Sequence, residues 1–106
     1  MSVSINIAQE SITAYLSGEI DHHSAVEIRQ NIDSAIEKNC PKELMLDFSG
    51  VTFMDSSGIG LVMGRYKLMS EINGSVTLTG MDKTTWKIMK LAGLDRLMNL
   101  KMEGKK

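Results

Sequence analysis

VTFMDSSGIGLVMGRYKLMSEI, residues Val51 to Ile72, reads as a short apolar strand running into a long helix. Asp55 is placed to act as N-cap, its carboxylate accepting a backbone N–H one turn in, so that Ser56 and Ser57 fall on the first helical turn. That turn carries unpaired N–H donors and the positive end of the helix dipole, together worth about half a unit charge. A phosphate added there is accommodated without unfolding the helix. Asn73-Gly74 stops the helix with a residue that accepts positive φ.

On a helical wheel Ile59, Leu61, Val62, Met63, Tyr66, Leu68, Met69 and Ile72 spread over roughly 220°, against the roughly 100° of an ordinary core-facing stripe. The excess either packs on a neighbouring helix or forms a protein-docking face. Ser56 sits beside the narrow polar strip of Gly60, Lys67 and Glu71, whereas Ser57 points toward Leu61, Gly64 and Leu68. Ser56 is therefore the better candidate for an exposed hydroxyl. Gly60 and Gly64 each lower helix stability by roughly 1 kcal/mol relative to Ala. Either another backbone approaches closely there, or the strip is left bare for a partner side chain.

Upstream, Val3, Ile5 and Ile7 alternate with polar residues as a half-buried strand, and Ile12 to Leu16 follows at hairpin distance. Gly18-Glu19-Ile20-Asp21-His22-His23 is expected to be a compact polar loop. Ser24-Ala25-Val26-Glu27 matches a capping box, with Asp21 the other candidate cap. The helix that follows buries Ile28, Ile32 and Ile36 and turns Glu27, Arg29, Gln30, Asn31, Asp33 and Glu37 away. Cys40-Pro41 ends it, since proline disfavours helical geometry in the residue before it. Glu43 to Phe48 is the third strand, and its run Leu44-Met45-Leu46 suits a strand covered on both faces. Downstream, Val76 to Thr79 reads as a strand, Lys83 to Ala92 as a helix closed by Gly93, and Leu97 to Met102 as a weaker strand. The order ββαβαβαβ predicts one α/β domain over residues 1–106, a mixed sheet with helices packed on it and a frayed tail over 101–106.

With 106 residues, 42% apolar and 24% charged, the chain suits one modest core. A net charge of -1, with no basic block outside Lys101 to Lys106, leaves no nucleic-acid footprint. No apolar run approaches the roughly 20 residues that span a bilayer, and MSVSINIAQE lacks the pattern of a secretory signal. A cytoplasmic protein without membrane contact is expected. Cys40 is the lone cysteine and the two histidines are adjacent, so no closed metal site is expected. Among nine methionines, Met54, Met63 and Met69 lie near the serines and suit an adaptable surface.

Gly18-Glu19-Ile20-Asp21-His22-His23, the strand Leu44 to Phe48, Phe53-Met54-Asp55-Ser56-Ser57-Gly58-Ile59-Gly60 and Gly64-Arg65-Tyr66-Lys67 together resemble the STAS-domain anti-sigma factor antagonists, or anti-anti-sigma factors, of bacteria. The likeness runs over nearly the whole chain, to the sporulation (SpoIIAA-like) branch first and the RsbV-like branch next. It implies a partner switch. The unmodified protein docks on an anti-sigma factor serine kinase of the SpoIIAB type and frees a sigma factor. That kinase brings its own ATP and magnesium, and it phosphorylates the first serine of Asp-Ser-Ser-Gly, here Ser56. A PP2C-type phosphatase, SpoIIE-like, resets the switch. The resemblance implies docking through Asp21, His22 and His23 on one side. Asp55, Ser57, Gly58, Ile59, Gly60, Met63 and Lys67 contribute from the other.

Two other classes are weighed. An enzyme would use Ser56 or Ser57 as nucleophile and His22 or His23 as base, but there is no Gly-x-Ser-x-Gly elbow and no phosphate-loop signature. A permanent scaffold or regulatory subunit of a signalling or transport complex would hold its partner without exchange.

Overall fold

The computed structural model describes residues 3–102. Its elements are β1 (Val3–Ile7), β2 (Ser11–Ile20), α1 (His22–Asn39), β3 (Glu43–Met54), α2 (Ser56–Glu71), β4 (Ser75–Met81), α3 (Lys83–Leu91), a 3-10 turn at Leu94–Arg96, and β5 (Asn99–Met102). The strands lie in the order β1-β2-β3-β4-β5. β1 runs antiparallel to β2, and the remaining pairs are parallel. This is the expected mixed α/β sheet. Parallel neighbours need crossovers, and each helix supplies one. α1 packs on β1 and β2, α2 on β3 and β4, and α3 on β4 and β5.

Alternation builds the core. Ile12, Ala14 and Leu16 of β2 and Leu44, Leu46 and Phe48 of β3 are buried, facing Ile28, Ile32 and Ile36 of α1 and Leu61, Val62 and Met69 of α2. Met45 is only half-buried, so β3, although central, alternates; the consecutive buried run belongs to β4, at Val76-Thr77-Leu78. In α3, Trp86 is half-buried with the Lys90 ammonium 4.8 Å from its ring centroid.

Several boundaries differ from the sequence reading, each for a local reason. Gly18-Glu19-Ile20 is not loop: β2 continues through Ile20, paired with β3 across register shifts at Tyr15/Ser17 and Gly18/Glu19. Gly18 takes φ +77 at that irregularity, and at Gly50 a side chain would lie 2.9 Å from the Leu16 carbonyl oxygen. These two glycines let the strands run past Ser49-Gly50, where a break was expected. The capping box lies three residues earlier than Ser24–Glu27. Asp21 is the N-cap, Ser24 N–H donates to Asp21 Oδ1 at 2.8 Å, and Asp21 N–H donates to Ser24 Oγ at 3.1 Å. His22 and His23 thus belong to the first turn of α1. The 3-10 turn delays the last strand to Asn99. Lys101 and Met102, read both as the end of the last strand and as the start of the tail, are in β5, and 103–106 lie outside the described residues.

Candidate functional site at the start of the second helix

Two helix N-termini meet at one end of the sheet. β2 and β3 are parallel and in register at Ile20 and Met54, so Asp21 and Asp55 leave them side by side. Asp55 N–H donates to the Ile20 carbonyl at 3.1 Å, fastening the entry of α2 to the entry of α1. Each Asp then caps its helix: Asp55 Oδ1 accepts Ser57 N–H at 2.8 Å. The Asp21 carboxyl is held below its ordinary range, chiefly by the N–H of Ser24.

This arrangement separates the two serines. Ser56 is exposed, while Ser57 is half-buried and turns into the space between the helices. From Ser56 an exposed strip runs along α2 through Gly60, Met63, Lys67 and Glu71. Gly60 and Gly64 have no neighbour within 4 Å of where a side chain would begin, so the strip is bare. Gly58 is buried against the Met54 side chain and has packing as its role, although the sequence reading set it on the docking surface. Ile59 is half-buried against the core. The breadth of the apolar face resolves in both ways: Ile59, Tyr66 and Leu68 pack on the core edge, and Met63 and Ile72 face out.

Between α1 and α2 lies an open trough of about 340 Å³. Its wall on α1 is His22, Ala25, Val26 and Arg29, and its wall on α2 is Ser57, Gly60, Leu61, Gly64 and Arg65. Of these, His22, Ser57 and Gly60 were expected at the site; Arg29 and Arg65 were not. Arg65 is 6% exposed, and its Nε lies 2.8 Å from Asp33 Oδ1, an ion pair in which the N–H is not aimed at the oxygen. Asp33 is correspondingly half-buried rather than turned to solvent. Burial raises the Asp33 carboxyl above its ordinary range against the opposing pull of Arg65, and burial lowers the Arg65 guanidinium against the support of Asp33. The signal was in the spacing. Arg65 follows Leu61 by four and precedes Met69 by four, which places an arginine on the buried stripe, where it needs an anion from a facing element.

Residues 3–105 match the STAS domain. The chain belongs to the STAS domain family. Within that family it resembles the anti-sigma F factor antagonist of Paenibacillus polymyxa, at 34% identity over 83 residues, which cover 78% of this chain and 71% of the relative. Its fold superposes on the anti-sigma factor antagonist SpoIIAA in its unphosphorylated form with a TM-score of 0.81 at 31% identity, covering 92% of this chain and 86% of that one. For Bacillus SpoIIAA in the phosphorylated form the TM-score is 0.75 at 31% identity, with 92% and 89% covered. This STAS domain is thus a member of the anti-sigma factor antagonists, which are regulatory proteins and not enzymes. Among the described residues no group of three or more His, Cys, Asp or Glu is arranged to hold a metal ion, and no helix is long and apolar enough to cross a membrane.

Proposed function

We propose that this STAS domain is a phosphorylation-controlled partner switch. Unmodified, it binds a cytoplasmic anti-sigma factor serine kinase of the SpoIIAB type and so frees a sigma factor, that of a sporulation pathway. Phosphorylation of Ser56 ends the binding, and a PP2C-type phosphatase of the SpoIIE type restores it. The kinase brings the ATP and magnesium. The observation that carries this reading is the exposed hydroxyl of Ser56 at the N-terminus of α2, beside a bare glycine strip.

The charge change is large enough for a switch. A phosphoserine adds about 1.5 to 2 negative charges at neutral pH. About 4 Å from a partner carboxylate, at an effective dielectric of about 20, each unit of charge is unfavourable by about 4 kcal/mol before screening. About 1.4 kcal/mol is tenfold in affinity, so one modification suffices to release a micromolar partner. Asp55 adds to the negative field beside Ser56, and Lys67 on the same exposed strip offsets part of it.

Mass spectrometry after incubation with the kinase and ATP-magnesium tests the site: phosphate is expected on Ser56 and absent from Ser56→Ala. Calorimetric titration of the kinase tests the switch. Ser56→Ala is expected to bind as the unmodified protein does, and Ser56→Asp to lose binding; equal affinities would sink the mechanism.

A further inference from the structure

β3 outruns one of its neighbours. β4 pairs with it only over Glu43–Asp47, while β2 continues alongside as far as Met54. Gly80 makes the divergence possible. Its φ is +73, and a side chain there would lie 2.8 Å from Asp47 Oδ1 and 2.9 Å from the Ser49 nitrogen, so glycine alone lets β4 pass this close before it parts from β3 and turns into α3. From Gly50 to Met54 a central strand therefore has β2 on one side and no strand on the other. Such an edge presents backbone N–H and C=O groups to any extended chain that reaches it.

A cleft of about 230 Å³ lies along this edge. Thr52, Phe53 and Met54 of β3 form one wall, and Thr84, Thr85 and Ile88 of α3 form the other. The Asp82 carboxylate at its rim is engaged as the cap of α3, accepting Thr85 N–H at 2.8 Å. Phe53 is 55% exposed, so its ring spends most of its area on water instead of on the core. Exposed aromatic rings of this kind are what protein contacts use as anchors.

Position names the occupant. Phe53 is three residues before Ser56, a stretch of chain that spans at most about 11 Å. An enzyme that phosphorylates Ser56 brings the terminal phosphate of its nucleotide to about 3–3.5 Å from the hydroxyl, in a site closed to water. A protein seated that closely on Ser56 extends over its flanks. On the α1 flank both walls of the trough are helices, whose backbone groups are bonded internally, and Arg65 there is already paired with Asp33. On the β3 flank the open edge and the exposed ring are both available.

We infer that the anti-sigma kinase adds an extended segment of its own to the open edge of β3, with Phe53 as the apolar anchor of that contact. The inference rests on the partner-switch reading and adds to it a docking element outside the helix face. Backbone pairing along the edge supplies affinity, and the Phe53 contact fixes the register that brings Ser56 to the phosphate.

Calorimetry and phosphorylation kinetics of the kinase with the full chain and three variants test it. Phe53→Ser removes the anchor from an exposed position, Thr84→Trp fills the cleft from α3, and Ser56→Asp reports on the switch itself. Thermal melts confirm that each variant is folded. Phe53→Ser and Thr84→Trp are each expected to weaken binding about tenfold or more, and to raise the KM for phosphorylation of Ser56 with kcat little changed. Hydrogen exchange reads the backbone: among Gly50–Phe53, the amides that exchange freely in the isolated chain should slow about tenfold or more in the complex. If both cleft variants bind within about twofold of the parent while Ser56→Asp does not bind, the inference falls and the switch stands. Loss in only one of the two, or unchanged exchange along the edge, also overturns it. If the parent chain does not bind the kinase at all, both readings fall. Light scattering adds the remaining outcome: a dimer that Thr84→Trp dissociates would mean that a second copy occupies the edge, again overturning the inference.

Discussion

Asp55 and Ser57 are joined by a 2.8 Å hydrogen bond from the Ser57 N–H to Asp55 Oδ1, and this bond sets how the intervening Ser56 is presented. With the carboxylate engaged two residues on, Ser56 stays exposed at the first helical position. Asp55→Ala is expected to lower stability by about 1 kcal/mol, since one orphan donor loses its acceptor. The melting temperature should fall by about 4–8 °C. Asp55→Asn, which still caps, should restore most of the loss, as read by thermal denaturation followed by circular dichroism.

Three glycines of α2 should respond in opposite directions to the same change. A Cβ on Gly58 meets the Met54 side chain, including its Cγ, which has little room to move, whereas Gly60 and Gly64 face open space. Gly58→Ala is expected to destabilise by about 1–3 kcal/mol through overpacking. Gly60→Ala and Gly64→Ala should each stabilise by about 0.5–1 kcal/mol, because alanine restricts the unfolded chain and favours the helix. Urea unfolding midpoints measure all three.

The same contrasts mark what a one-dimensional reading can and cannot see. Strand and helix order, the Asp55 cap and the exposure of Ser56 are local properties of periodicity and capping, and they were legible. The length of β2 and β3 was not. Ser49-Gly50 and Gly18 carry turn chemistry, and only the pairing of two strands converts them into irregularities within a ladder. Arg65 was missed for a related reason: its burial depends on Asp33 arriving from another helix. Residues whose state is fixed by a partner distant in sequence are where pattern reasoning gives out, and Arg65 in the wall of the trough is one of them.

Cys40 caps the C-terminus of α1 at φ 42, ψ 58, in the left-handed region where a side chain is strained. It is exposed, so its side chain contributes little packing. Cys40→Gly is expected to raise stability by about 1 kcal/mol and to remove the thiol from oxidative chemistry. Cys40→Val, β-branched at a positive φ, should lower it, and differential scanning calorimetry separates the two.

Acid stability should be governed by the caps. The Asp82 carboxyl is held below its ordinary range, chiefly by the Thr85 N–H, as Asp21 is by Ser24. A carboxylate depressed in the fold contributes stability above its unfolded pKa of about 3.9 and loses it as the pH falls through the folded value. Asp33 has the opposite sign: its raised carboxyl contributes stability below about 3.9, which is lost as the pH rises through the folded value. Asp82→Asn, which still caps but does not titrate, should therefore flatten the loss of stability on acidification. Asp33→Asn should steepen it. Urea midpoints from neutral pH down through the carboxylate range would show both.

The Arg65–Asp33 pair should be asymmetric when broken. Arg65 has an 8% exposed side chain with its Nε shut away from water, while Asp33, at 28%, keeps one edge toward solvent. Asp33→Ala strands a buried guanidinium and is expected to lower stability by about 3 kcal/mol. Arg65→Met leaves a carboxylate that rehydrates and fills the stripe between Leu61 and Met69 with apolar volume, so its effect should be about 1 kcal/mol or less. The double variant removes both charges and should recover most of what Asp33→Ala loses, giving a coupling energy that a double-mutant cycle in urea reads directly. Equal losses for the two single variants, simply adding in the double, would mean that the charges are independently hydrated and that the pair does not join α1 to α2.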